Sequence, residues 1–228
     1  MKFLYTAYDI HMDLQENCGH YLVIEHPRAY AEIVHDLYRQ CDGGEGGAIL
    51  SDGTKFLSFA KQVAMILEPF SLQFDTRKIN TALYKELEDI VQDGYYMDYL
   101  TLQSQLAQFM ARVTGEVPYP ISYDAEAAMQ GLCKWLNVHV DYMADTLAER
   151  LSGYIELLAQ LCRIKVVFLV GIELYLSQEE RRALQKMANY HKIYIIYISN
   201  RLDVLSKIDV YTVVDADYCI ITNNPERL

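Results

Sequence analysis

The chain has 228 residues with 20 Lys+Arg against 31 Asp+Glu, a formal charge of −11. Half of it is hydrophobic and 22% is charged, a globular composition that excludes a disordered or fibrous chain and suffices for one domain or two small ones. The longest apolar run, Val166 to Ile172, is far short of the ~20 residues a membrane span needs. Asp9 arrives too early for a signal peptide, and the acidic balance argues against a diffuse basic coat on nucleic acid.

Phe3 to Tyr8 is β-branched and aromatic-rich, and Tyr21-Leu22-Val23-Ile24 is a short apolar strand. Pro27 suits a first helical turn, and Tyr30, Ile33, Val34, Leu37, Tyr38 and Cys41 then recur at helical spacing. Gly43-Gly44-Glu45-Gly46-Gly47 closes that helix. Strands around Ile49-Leu50 and Phe56-Leu57 flank Asp52-Gly53 as a hairpin turn, and Val63 to Leu67 reads as a buried strand. After Glu68-Pro69-Phe70 the pattern becomes helical. Asp75 or Thr76 caps a helix with Ile79, Leu83, Leu87, Ile90 and Val91 on one face. Asp93-Gly94 interrupts it before a second helix bearing Tyr99, Leu102, Leu106, Phe109, Met110 and Val113. A third, short helix is expected to start near Asp124.

The last third returns to α/β. A helix carrying Leu147, Leu151, Ile155, Leu158 and Leu161 leads into Lys165 to Val170, an uninterrupted apolar strand suited to a parallel sheet. Ser177-Gln178-Glu179-Glu180 is a capping box for a helix burying Leu184, Met187 and Ala188, and Ile193 to Ile198 is the next strand. Strand, crossover helix, strand make a βαβ unit, and Val210 to Val214 and Tyr218 to Ile221 complete the sheet. The expected fold is α/β: a head of residues 1–68 and 138–228 around a mostly parallel sheet, with an inserted α-helical leg over 69–137.

Motifs for catalysis are missing. The glycine cluster at 43–47 lacks the following Lys-Ser/Thr of a phosphate-binding loop, and neither G-x-S-x-G nor H-E-x-x-H occurs. Val166 to Val170 ends in Gly171 instead of a magnesium-holding acid, with Glu173 out of register. No residue is assigned a catalytic role, and the chain is expected not to be an enzyme. Cys18, Cys41, Cys133, Cys162 and Cys219 form no C-x-x-C pair, so reduced thiols are expected; Cys18, His20, His26 and Cys41 match no zinc framework.

Two features remain. Tyrosines cluster at Tyr95-Tyr96-Tyr99, Tyr119 and Tyr123, and Tyr190-Tyr194-Tyr197, which suits either a Tyr-rich core and rim or an oligomer interface. Between Arg181 and Lys207 lie six bases and one acid, Asp203, a net of +5 against −16 for all other residues. That charge either focuses a positive potential or pairs with Glu179, Glu180 or Asp209 on a solvated face.

Tyr21 to Glu25 with the helix after it, Ala64-Met65-Ile66-Leu67-Glu68-Pro69-Phe70-Ser71-Leu72, Lys134-Trp135-Leu136-Asn137-Val138-His139-Val140, the final βαβ, and Asp217 to Thr222 stand in one order along the chain. Together, and in this order, these segments resemble the Csn-type adaptation protein of type II-A CRISPR systems. The resemblance implies a head sheet of degenerate nucleotide-hydrolase type with a helical leg. It further implies a cytoplasmic bacterial protein of antiviral defence, a ring-shaped homotetramer that encloses double-stranded DNA and prefers free ends. Spacer acquisition with the integrase complex and the RNA-guided nuclease, away from membranes, would be its setting. The resemblance implies calcium near the head–leg junction; Asp124 and Glu126 are the best-matching ligands, with Glu116 in support, fewer acids than the family pattern carries. The other reading of Asp124, ahead of a ligand, is a helix N-cap. Lys134 matches a family lysine for DNA phosphates; Arg181, Arg182 and Lys186 of the basic segment join it, then Arg77 and Lys78. The alternatives are a nucleotide-dependent enzyme or switch on a divergent phosphate-loop-like sheet, and a protein-binding adaptor with tyrosine-rich faces.

Overall fold

The computed structural model describes residues 1–16, 18–124, 128–202 and 210–223. The chain forms two compact units, residues 1–73 with 142–228 and residues 74–141.

The first unit opens with β1 (Lys2–Tyr5) and β2 (Ile10–Asp13), continues through β3 (His20–Ile24), α1 (Pro27–Cys41), β4 (Ala48–Asp52) and β5 (Lys55–Phe56), and reaches the short α2 (Phe59–Gln62) and β6 (Val63–Ile66). The second unit holds α3 (Arg77–Gly94), α4 (Tyr96–Gly115) and α5 (Met129–Trp135). The first unit then resumes with α6 (Leu147–Gln160), β7 (Val166–Val170), α7 (Gln178–Tyr190), β8 (Tyr194–Ser199), β9 (Val210–Val214) and β10 (Ile220–Asn223). The chain is thus α/β with a helical unit, as its pattern of apolar runs and helical faces predicts.

The first unit contains two sheets. β2-β1-β4-β5 is antiparallel, and β10-β9-β3-β8-β7-β6 is parallel except for β10. The larger sheet places the N-terminal β3 between β8 and β9, which adjacency in sequence does not suggest. Period-2 alternation divides its strands. Leu22, Ile24, Val166, Phe168, Ile196 and Ile198 join Phe3, Ile10 and Leu50 of the small sheet and Ile33 and Leu37 of α1 in one core. Tyr21, Val23, Val167, Leu169, Ile195 and Tyr197 alternate with them and are also buried, so both faces are covered, as continuous apolar strands require.

Several local expectations need revision. The first strand stops at Tyr5; a 3₁₀ turn over Thr6–Tyr8 and a left-handed Asp9 (φ 52°) reverse the chain into β2. The hairpin forms with Asp52 opposite Lys55, and Gly53 supplies its positive φ of 61°. On α1 the buried face is Ala29, Ile33, Leu37 and Gln40, leaving Tyr38 outside. The third helix of the second unit starts at Met129 with Ala128 as its N-cap, so Asp124 does not cap it.

Candidate nucleic-acid interface

The basic segment is delivered by α7. The Ser177 hydroxyl accepts from the Glu180 amide at 3.2 Å, and the Glu180 carboxylate accepts from the Ser177 amide at 2.7 Å. The Ser177 hydroxyl also donates to that carboxylate at 2.7 Å, and this bond first, then the one from the Ser177 amide, holds the Glu180 carboxyl below its usual range and commits that acid to the helix start. Leu184 and Ala188 anchor the inner face of the helix, leaving Arg182 and Lys186, one turn apart, exposed. Arg181 turns inward: it is 9% exposed, and its Nη1 donates to the Leu176 carbonyl at 2.8 Å. None of Arg181, Arg182, Lys186 and Lys192 forms an ion pair among the described residues. Pairing with Glu179 or Glu180, one of the two readings of this segment, is not seen for these four bases. Asp209, with Asp203 and Lys207, lies outside the described residues.

In the second unit Lys134 is exposed in the last turn of α5, and Arg77 and Lys78 are exposed in the first turn of α3, where Thr76 caps by accepting from the Ile79 amide. The first unit therefore gathers three of the six basic candidates on one helix, and the second unit carries the other three on two helices.

The carboxylate candidates are less well gathered. Glu116 is the exposed C-cap of α4, Asp124 is exposed in the segment before α5, and Glu126 lies outside the described residues. Among the described residues no three His, Cys, Asp or Glu side chains converge as metal ligands. Calcium takes six to eight oxygens, and the described residues do not assemble them. Cys18 and His20 lie 3.7 Å apart without a third ligand among the described residues.

At the carboxyl end of β3, where a nucleotide-binding sheet would present its phosphate loop, the chain reads Glu25-His26-Pro27. His26 caps α1, its Nδ1 accepting from the Arg28 amide at 3.2 Å, and the Tyr218 hydroxyl lies 3.2 Å from both ring nitrogens. Tyr218 stacks on Tyr8, which donates to Glu32 at 2.5 Å; that bond pushes the Tyr8 hydroxyl up to about 12 and holds the Glu32 carboxyl below its usual range. The His26 ring thus satisfies one backbone donor of the helix start, with Tyr218 set against it. The glycine cluster serves packing: a Cβ on Gly46 would overlap the Gln40 side chain, and the Gly47 amide donates to Asp36 at 2.8 Å.

Within the second unit, α4 has no buried side chain. Its Leu102, Leu106, Phe109 and Met110 line, with Leu132 and Trp135 of α5, a groove of about 400 Å³. Trp135 is 74% exposed and Phe109 52%. Sequence periodicity gives these residues one face but cannot say that the face lacks a covering helix in its own unit. The tyrosine clusters divide: Tyr197 is core, whereas Tyr95, Tyr96, Tyr119 and Tyr190 are exposed.

Among the described residues no helix is long and apolar enough to cross a membrane. The sequence matches the family described as CRISPR-associated protein (Cas_Csn2) over residues 40–218. No curated protein matches it. Among solved structures it is similar to a bacterial Atm1-family ABC exporter with ATP bound, at 13% identity and a TM-score of 0.43. That similarity covers 91% of this chain and 34% of the exporter chain, so the chain spans about a third of that protein's length.

Proposed function

This chain belongs to the Csn2 family of CRISPR-associated proteins, and from that premise we propose that it binds double-stranded DNA at free ends, as a ring-shaped homotetramer acting in spacer acquisition. The observation that carries this reading is the basic row of α7: Arg182 and Lys186 exposed, Arg181 behind them, and none engaged by an acid among the described residues of a protein with net charge −11. Concentrated cations on an acidic protein focus a local potential that attracts a polyanion to one face. Such a row contacts phosphates and reads no bases, so binding is independent of sequence. Lys134, Arg77 and Lys78 add phosphate contacts in this reading. The exposed apolar groove of α4 and α5 supports self-association, because large apolar surface rimmed by polar residues is characteristic of interfaces. The integrase complex and the RNA-guided nuclease are the proposed partners, and no catalytic step is assigned to the chain. A nucleotide switch has less support, since His26 and Tyr218 occupy the α1 start.

A gel shift comparing linear with closed circular duplex, titrated with salt and with calcium, tests the proposal. Linear duplex is retarded and circular duplex is not, and the logarithm of affinity falls with that of salt by about 0.9 for each phosphate neutralised. Calcium dependence that disappears in Asp124→Asn or Glu116→Gln would assign those carboxylates to the ion. A monomer that ignores linear duplex at low salt, with and without calcium, refutes the reading.

A further inference from the structure

Beside α7 the first unit contains a cleft of about 240 Å³, lined by Arg181, Arg182, Gln185 and Lys186 of the helix and by Tyr21 and Tyr197 of the sheet. Three cations face it, and no carboxylate lines it among the described residues. The two tyrosine rings stack at 4.8 Å and are almost fully buried, giving one wall a low-dielectric backing.

Arg181 is the decisive group. A guanidinium has five N–H donors; here the Leu176 carbonyl takes one, and among the described residues Nε has no partner and no acid pairs with the nine-tenths-buried side chain. A buried cation is costly unless an anion neutralises it. Arg182 and Lys186, four residues apart, add like-charge repulsion that the same anion would relieve. Gln185 points the same way: its amide nitrogen donates to Asn189 at 2.7 Å while its buried Oε1 is unpartnered. Rotating both amides by half a turn preserves their mutual bond and puts an N–H₂ donor where the unpartnered oxygen stands.

We infer that this cleft is an oxyanion site that takes one phosphate group of a phosphate ester, with Arg181, Arg182 and Lys186 supplying charge and Gln185 a neutral donor. Arginine matches the fork of phosphate oxygens, and lysine adds a point charge. The volume is below the roughly 300 Å³ at which pockets for larger ligands begin, enough for a phosphate and its sugar. The site shares its cations with the proposed duplex contacts but does not require a duplex, since a free phosphate ester presents the same chemistry.

Isothermal titration of the full chain in chloride buffer, with inorganic phosphate and with thymidine 5′-monophosphate, tests the inference. Each probe saturates one site per chain and binds at least tenfold more weakly to the Arg182→Gln/Lys186→Gln double variant, whose changes are on the exposed face. Arg181→Met abolishes binding; the double variant keeps the test valid if that chain fails to fold. Absence of saturable binding, or binding unchanged in the double variant, overturns the site. Linear duplex distinguishes the sources: displacement of bound phosphate assigns the cleft to the DNA backbone, and thymidine monophosphate bound alongside duplex assigns it to a free ester. A chain that retards linear duplex yet ignores both probes refutes the cleft and leaves the duplex reading standing. The converse result refutes the duplex reading alone.

Discussion

His20 opens the central parallel strand with no exposed surface; its Nε2 lies 3.0 Å from both the amide and the carbonyl of Gln15, and its buried Nδ1 has no partner. Burial, chiefly, holds its pKa below the ordinary 6.5, with the N-terminal ammonium acting in the same direction and the Gln15 backbone opposing. Below about pH 6.5 the unfolded chain takes up a proton that the folded chain refuses. The contribution of His20 is therefore complete above that pH and is lost as pH falls towards the folded value. Urea unfolding of the wild type should lose stability below neutrality with a slope from this residue of at most about 1.4 kcal/mol per pH unit. His20→Gln should lack that share, so the two stability curves converge on acidification; parallel curves would refute the assignment. Gln40 shows a different use of a buried polar group: its amide donates to the Ala48 carbonyl and accepts from the Ala48 amide, both at 3.0 Å, and thereby imitates a neighbouring strand. Neither role is legible in sequence, because helical spacing locates Gln40 on α1 without revealing what its amide meets. The same holds for Arg181, which sequence groups with Arg182 although one lies inside and the other outside.

Elements were more legible than residues where a pattern has one physical meaning. The continuous apolar runs at 166–170 and 193–198 can only be doubly covered strands, and Ser177 with Glu180 fixes the start of α7. The α6 start carries an equally explicit box, Thr146 with Glu149, which the apolar spacing from Leu147 does not reveal. β2 is not legible in sequence because a non-glycine residue, Asp9, supplies the left-handed turn before it. The third helix of the second unit reads too early in sequence, since Asp124 resembles a cap whereas the true N-cap, Ala128, makes no side-chain cap bond. The capping box gives an element-scale prediction. Ser177→Ala should cost about 1 kcal/mol in denaturant unfolding, while duplex affinity measured well below the melting temperature stays within twofold, because Arg182 and Lys186 lie beyond the first turn. A tenfold loss of affinity would mean that Ser177 itself touches the ligand.

For the whole molecule, a net charge of −11 excludes a diffuse basic coat, whereas the six bases between Arg181 and Lys207 give one segment a net of +5. The groove of the helical unit provides an independent test of assembly, because Trp135 is the only tryptophan in the sequence and is largely exposed in the isolated chain. If copies associate through this groove, tryptophan emission shifts to the red on dilution, in step with dissociation measured by sedimentation. Phe109→Asp should give a monomer whose emission no longer depends on concentration. An oligomer with red, concentration-independent emission would locate the interface elsewhere.

The insertion of the helical unit has a consequence for the order in which the chain folds. β6 pairs with β7, Val63 opposite Val166, so this strand waits about a hundred residues of synthesis for its neighbour. Residues 74–141 form a separate compact unit within that interval, and helical hairpins with local contacts form quickly. Early folding of that unit shortens the loop still to be closed from about a hundred residues to roughly a third of that, which lowers the entropic cost of bringing β6 to β7 by about 1 kcal/mol. The helical unit thus acts as an internal splint: by folding first, it shortens the search by which the sheet of the first unit closes.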